Sequence, residues 1–268
     1  MARKLQIMVL IIAAVVLGSC GRSKREKPIW EELKVTDLPP SEPNDSWPFE
    51  MIKTANFDVY IIEIPEANSP RLNDLWQMLT REQLQIADYR AFTANSFLAG
   101  LGRGDIVEQV DRLLLEAAGR TRNKVTVLIP EGQTQDVGIA QLQNQRSIFY
   151  ISTSGSMTGA TVGPGNIALR LKPEKAPGSV GLCNLNVCSV FIPPALPSLE
   201  SIEERQKKNQ FIFEPVTFNA IMRPGDFLVL GPQQVDADPS TLNSVFFSRK
   251  EPKPVVRIYL LLCTGVLF

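Results

Sequence analysis

The sequence predicts an α+β protein, with a small N-terminal β-α-β-α module over residues 48–119 and a mostly antiparallel β domain over residues 120–268. Three observations carry this. Up to Gly119, short apolar runs alternate with segments whose apolar residues recur at helical spacing. Beyond Gly119 the pattern changes to short β-branched and aromatic runs, with glycine and proline recurring where they end, as in "PEGQ", "VGPGN" and "APGS". Such punctuation belongs to an antiparallel sandwich or barrel. At 268 residues the chain also exceeds the usual ~100–200 residues of one domain, which favours two bodies.

In chain order, "NFDVYIIEI" is a short run of β-branched and aromatic residues and predicts a buried strand ending before Pro65. "SPRLNDLWQMLT" predicts a helix, with Ser69 as N-cap, Pro70 at the first helical position, and Leu72, Leu75, Trp76 and Leu79 on one face. "YRAFTANSFLAGLG" reads as a second strand running into a glycine turn. "DIVEQVDRLLLEAAG" predicts a second helix that begins at Asp105, buries Ile106, Val110, Leu113 and Leu114, and stops at Gly119.

The strands of the second half are "KVTVLIP", "RSIFYIS", "NIALRLKP", "LCNLNVCSVFIP", "FEPVTFNAIM", "DFLVLGP" and "VVRIYLLLCTGVLF". Ile167, Leu169 and Leu171 alternate with Asn166, Ala168 and Arg170, as in a strand with one buried face. The almost continuous apolar run over residues 258–263 instead predicts a central strand covered on both sides. "SLESIEERQKKNQ" reads as an exposed polar excursion, and no internal repeat is present.

The N-terminus has its own logic. Arg3 and Lys4 precede the apolar run "LQIMVLIIAAVVL", which ends in Gly18, Ser19 and Cys20. A basic start, a short apolar stretch and small residues at its end make a secretory signal, predicted over residues 1–19. The run is short at ~1.5 Å per residue for crossing a ~30 Å hydrocarbon core, so it reads as a cleaved segment, with an uncleaved N-terminal anchor as the alternative. Leu17-Gly18-Ser19-Cys20 resembles the lipobox of bacterial lipoproteins. That resemblance implies cleavage between Ser19 and Cys20, and a diacylglycerol thioether on the Cys20 sulfur as membrane anchor. Gly21 stands where an aspartate often signals inner-membrane retention, so the resemblance favours the outer membrane, facing the periplasm. Residues 20–47, rich in charge and proline, read as a lipidated tether. Arg22, Lys24, Arg25 and Lys27 in it can meet phosphate head groups at about 1 kcal/mol per charge, or simply solubilise the tether.

Composition excludes several chemistries. The chain has no histidine, so a Ser-His-Asp triad, a Cys-His pair and histidine-based zinc sites are ruled out. Lysine plus arginine and aspartate plus glutamate balance at 28 each, which removes a general electrostatic case for nucleic acid.

The remaining motifs each have a plain reading. "GLGRGD" at 100–105 lacks the final spacing of a dinucleotide fingerprint and any following Lys-Ser/Thr, so it reads as a glycine turn with Asp105 capping the next helix rather than a phosphate loop. Asp58, Glu63 and Glu66 are close enough in sequence for acid-base or metal chemistry, or are solvated strand-end carboxylates. "STSGS" at 152–156 has hydroxyls without an evident activator and reads as a loop. Within "CNLNVC" a regular strand puts Cys183 and Cys188 on opposite faces, too far apart to bridge each other. A disulfide from Cys183 or Cys188 to Cys263 is open in an exported protein, as are three reduced, buried thiols. No cofactor and no metal is expected.

The segments "TGATVGPGNIALRLKP", "FNAIMRPGDFLVLGP" and "PVVRIYLLLCTGV" occur in an order that resembles the C-terminal part of bacterial secretins, over residues 120–268. There a glycine-bearing hairpin is followed by a strand, a turn ending in Gly-Asp or Gly-Glu, and a closing hydrophobic strand. Together with "LWQMLTREQL" and "TANSFLAGLG", they are similar to an uncharacterised family of predicted bacterial lipoproteins, for which no activity is established. The resemblance implies a secretin-like β domain in which "FLVLG" and "VVRIYLLLC" share a sheet. The series of N-domains and the long membrane hairpins of a pore-forming secretin are missing, so no pore is implied. The expected function is a non-enzymatic, lipid-anchored envelope protein with a structural or assembly role, linked to a secretin-like or pilus-like complex. A periplasmic small-ligand module and, more distantly, a histidine-free hydrolase are the alternatives.

Overall fold

In the computed structural model, which describes residues 52–194, 210–234, 238–250 and 252–268, the chain enters its first strand, β1, at Thr54–Pro65. The segments read as signal and tether, Cys20 with the cleavage expected after Ser19, and most of the polar stretch after Pro197 lie outside the described residues.

β1 is apolar on both faces. Ala55, Phe57, Val59 and Ile61 enter one buried cluster, while Ile62 and Ile64 enter a second. A 3₁₀ turn (Glu66–Arg71) leads into helix α1 (Leu72–Met78), then β2 (Leu84–Ile86), α2 (Tyr89–Ala94) and β3 (Phe97–Gly102). A second 3₁₀ turn opens α3 (Val107–Glu116). The strands β4 (Arg120–Pro130), β5 (Gln135–Leu142), β6 (Arg146–Ile151), β7 (Met157–Val162), β8 (Gly165–Lys175), β9 (Cys183–Ile192), β10 (Phe211–Met222) and β11 (Phe227–Pro232) follow. Helix α4 (Leu242–Phe247), β12 (Ser248–Arg249) and β13 (Val255–Leu267) close the chain.

One sheet has the order β3-β11-β13-β1-β4, with β12 added on β13; a second has the order β2-β10-β9-β8-β5. Every pairing in both is antiparallel. Residues from the inner faces of the two sheets, among them Phe57, Val59, Leu228, Tyr259 and Leu261 from the first and Leu169, Leu185, Val187 and Phe218 from the second, form one continuous core. Each such side chain contributes about 1.5–3 kcal/mol by leaving water. The hairpin β6–β7 packs Ile148, Ala160 and Val162 onto the same core. On the outer face of the first sheet, α1 and α3 bury Ile62, Ile64, Phe227, Val229, Val256 and Ile258.

This is a β-rich fold of antiparallel sheets with a few short helices, not a balanced α+β protein. The division expected at Gly119 is also absent from the pairing. β1 and β3 from the first segment hydrogen-bond to β13 and β11 from the second, and Met51–Phe268 forms one compact unit. The last strand contributes to the sheet of the first because β1 needs an antiparallel neighbour on each edge, and β13 supplies one of them.

The strand pairings expected of the late segments are present. β11 lies antiparallel to β13, Phe227 opposite Leu262 and Leu230 opposite Tyr259. β8 lies antiparallel to both β5 and β9. Other local readings change. Tyr89–Ala94 is a helix, because Asp88 accepts a hydrogen bond from the Ala91 amide and caps it; only Phe97–Gly102 of that segment is a strand. Neither α1 nor α3 has a side-chain cap, so Ser69 and Asp105 do not play that part. At the end of α3 the residue with left-handed backbone is Ala118 (φ 57°), not Gly119. The Ala118 amide donates to Leu115 O and the Gly119 amide to Leu114 O, a Schellman closure. Gly119 is required for space, since a Cβ there would lie 2.8 Å from Leu114 O.

Candidate functional site

The residues singled out in the sequence are not gathered into one site. Asp58 and Glu63 point to opposite faces of β1. Asp58 faces outward, where Lys124 Nζ lies 2.8 Å from its Oδ2 and Thr126 Oγ1 donates to its Oδ1 at 2.6 Å. The Lys124 hydrogen bond, seconded by Thr126, holds this carboxyl below its ordinary value. Glu63 faces the inner side, beside Arg257 across the β1–β13 pairing. Arg249 donates to both its oxygens, Nε at 3.1 Å and Nη2 at 2.6 Å, and Arg257 Nε donates at 3.3 Å. Burial pushes the Glu63 carboxyl up, but the Arg249 and Arg257 bonds and charges outweigh it and the net direction is downward. Both groups are therefore ionised structural anions. Glu66 is exposed, and its backbone amide donates to Pro254 O.

"GLGRGD" begins inside β3 rather than in a turn. A Cβ on Gly102 would meet the Phe227 ring at 2.1 Å, and one on Gly100 would meet Leu79 Cβ at 2.6 Å. These glycines let the helical layer and Phe227 close onto the sheet, a packing role that needs no phosphate. Ser152, Ser154 and Ser156 hydrogen-bond one another at the β6–β7 turn, 2.8–3.1 Å apart.

Cys183, Cys188 and Cys263 are free, buried thiols. Cys183 and Cys263 belong to the core between the sheets, whereas Cys188 lies on the other face of β9 opposite Arg170. Of the two partners considered for Cys263, only Cys183 shares its core. Burial pushes Cys183 up to about 12, with Cys263 adding to the effect, and Cys263 up to about 11. Neither is a nucleophile near neutral pH.

A feature that no sequence motif announced is a groove of about 330 Å³ between α3 and the outer face of the first sheet. Its floor comes from three neighbouring strands: Tyr60 and Ile62 of β1, Leu260 and Leu262 of β13, and Phe227 of β11. α3 supplies one wall with Val107, Val110 and Leu114, and the carboxylates of Glu108 and Asp111 stand at the rim. The pairings Tyr60–Leu260, Val229–Leu260 and Phe227–Leu262 put these side chains on one face. α1 and α3 cover Val256 and Ile258 fully, but Leu260 and Leu262 only in part, and Val107 is 41% exposed. On the other flank of α3 a wider hollow of about 720 Å³ is lined by Asp74, Asp105 and Glu108, with Arg112 as the one cation among the described residues that line it. An apolar, acid-rimmed cleft of this kind can bind, but it sets no nucleophile beside a base. The only trace of it in the sequence was the run over 258–263, whose outward residues call for a cover that the helices provide only in part.

No protein-family model matches the chain, and no curated protein matches it. Among solved structures it is similar to the β-barrel of the InvG secretin domain from the Salmonella SPI-1 injectisome NC-base. The identity there is 10% and the TM-score 0.25, over 81% of this chain and 64% of that one. The injectisome secretin InvG matches with 10% identity and a TM-score of 0.26, over 81% of this chain and 65% of that one. InvG in the basal-body assembly with PrgH and PrgK gives the same identity and score over 46% of its length. The chain thus spans less than two thirds of each of these matched proteins, and scores this low do not denote a shared fold.

Proposed function

We propose that this chain is a membrane-anchored protein of the cell envelope whose folded body is a non-enzymatic assembly module. The observation that carries the module is the apolar groove: an otherwise covered sheet face is left open beside α3, on rigid elements, and rimmed by charge. Exposed contiguous apolar surface with a polar rim is the usual mark of an interaction site. The anchor is supported by Leu17-Gly18-Ser19-Cys20, which ends an apolar N-terminal run and presents a thiol for lipidation. Lipid attachment contributes ~0.8 kcal/mol per buried methylene, so several chains hold a folded body at a bilayer. Gly21 after the cysteine favours the outer membrane, with the body facing the periplasm. The order of segments over residues 120–268 makes a secretin-like or pilus-like complex the assembly to test first.

Site-specific photo-crosslinking tests the module in cells. A photoreactive residue replacing Val107 at the groove is compared with one replacing Val180, which is 88% exposed on the β8–β9 loop. The reading expects a discrete adduct with an envelope protein from position 107 and none from 180. Equal adducts at both, or none at either, would contradict it.

A further inference from the structure

Resting on the assembly role proposed for this chain, we infer that the groove beside α3 receives a basic segment of a partner protein. That segment sets an apolar side chain on Tyr60 and Leu260, and lysine or arginine side chains against Glu108 and Asp111.

Two independent features point to this chemistry. The first is the floor. The outward residues of β13 are apolar from Val256 to Leu262, and only half of that row is covered. Leu260 and Leu262, with Tyr60 beside them, form a strip wide enough for one or two large side chains, and covering it releases about 25 cal/mol per Å² of apolar surface.

The second is charge. Among the described residues the groove lining holds Glu108 and Asp111 and no cation of its own. Lys124 reaches over the Tyr60 ring, 5.1 Å from its centre, but is paired with Asp58. The adjoining hollow adds Asp74 and Asp105 against Arg112. Over the whole sequence acids and bases balance at 28 each, so this excess is local. Among the described residues, none of these four carboxylates has a side-chain ion pair or hydrogen bond. Asp58, the nearby outward carboxylate of the same sheet, is ion-paired with Lys124 and accepts a hydrogen bond from Thr126. The start of α3 accounts for part of the pattern, because acids in a first turn are favoured by the helix dipole at about 0.3–1 kcal/mol. Asp111 stands a turn further on, at the groove, where that explanation does not reach. The same carboxylates repel anionic lipid head groups, so a membrane surface does not fit this face.

The test uses the full chain in detergent and fluorescence anisotropy. The probes are a labelled amphipathic peptide of leucine and lysine, and its counterpart with glutamate in place of lysine. The lysine peptide is expected to bind, less tightly as salt rises, and the glutamate peptide is not. Reversing the rim with Glu108→Lys and Asp111→Lys, both exposed positions, should weaken the lysine peptide at least about tenfold without changing the melting midpoint. Equal binding of both peptides, unchanged binding after reversal, or self-association of the chain through this face would each overturn the inference. A Val107 crosslink with no charge selectivity among peptides leaves the assembly role standing and removes only the basic partner. Charge-selective peptide binding with no crosslink in cells does the reverse.

Discussion

Asn95 is a single side chain that takes the place of a strand. It is 6% exposed, donates from Nδ2 to Ile151 O at 2.8 Å and to Ala91 O at 2.7 Å, and accepts on Oδ1 from the Ile151 amide at 2.8 Å. Beyond the single Phe149–Thr241 bridge on the edge away from β7, the end of β6 at Ile151 is thereby given both hydrogen bonds of a second neighbour. Asn95→Ala deletes three bonds and leaves the Ile151 amide and carbonyl without their partner. At about 1 kcal/mol net per bond, the loss is about 3 kcal/mol. For a body of this size each kcal/mol moves the melting midpoint by about 2–4 °C, so the midpoint should fall by about 6–12 °C. Calorimetry on wild type and variant measures that fall, and amide exchange at Ile151 reads the local effect. The Ile151 amide should lose its protection while Leu185, deep in the second sheet, keeps its own. A midpoint lowered by less than about 2 °C, with Ile151 still protected, would refute the reasoning, because it would mean that water replaces the side chain at no cost.

Ala118→Gly should stabilise the protein by about 1 kcal/mol in denaturant unfolding, since the left-handed backbone at this position penalises a Cβ and glycine removes it. Glu63 is held below its ordinary value when folded, so its contribution is present above the unfolded carboxylate pKa near about 4 and is lost as pH falls through the folded value. An acid titration of stability should accordingly be flatter in Glu63→Gln than in wild type, and parallel curves would count against the Arg249–Glu63–Arg257 cluster. Cys183, Cys188 and Cys263 should resist an aqueous thiol reagent at pH 8 until the chain is unfolded, because burial raises all three. Fast labelling of the native protein would show that the core between the sheets opens.

Much of the strand content was legible because it depends on local composition. "NFDVYIIEI", "NIALRLKP" and "VVRIYLLLC" combine β-branched residues with buried faces, and each lies within a strand. What local pattern does not carry is which strands meet. The change of texture at Gly119 suggested a domain boundary, yet β1 is completed by β13, whose pairing sets Thr54 opposite Leu267 at the far end of the chain. Helix α4 escaped notice for a different reason. All six of its residues are buried, so it has no polar face and leaves no helical period to read. The glycines of β3 looked like a turn because a close approach of Phe227 and Leu79 leaves no mark on the glycines themselves. The groove was the least legible feature, for the same reason as the pairing: it is made by strands far apart in sequence and by a helix too short to cover them all.

The central claim, an anchored envelope module, is tested most directly at the anchor. Cells producing the full chain or its Cys20→Ala variant are grown with a radioactive fatty acid, and the immunoprecipitated proteins are compared. The account predicts label on the wild-type chain, released with its N-terminal peptide, and none on the variant, in which the acceptor sulfur is gone while the apolar run before it remains. Equal label on both chains, or no label on either, would contradict it.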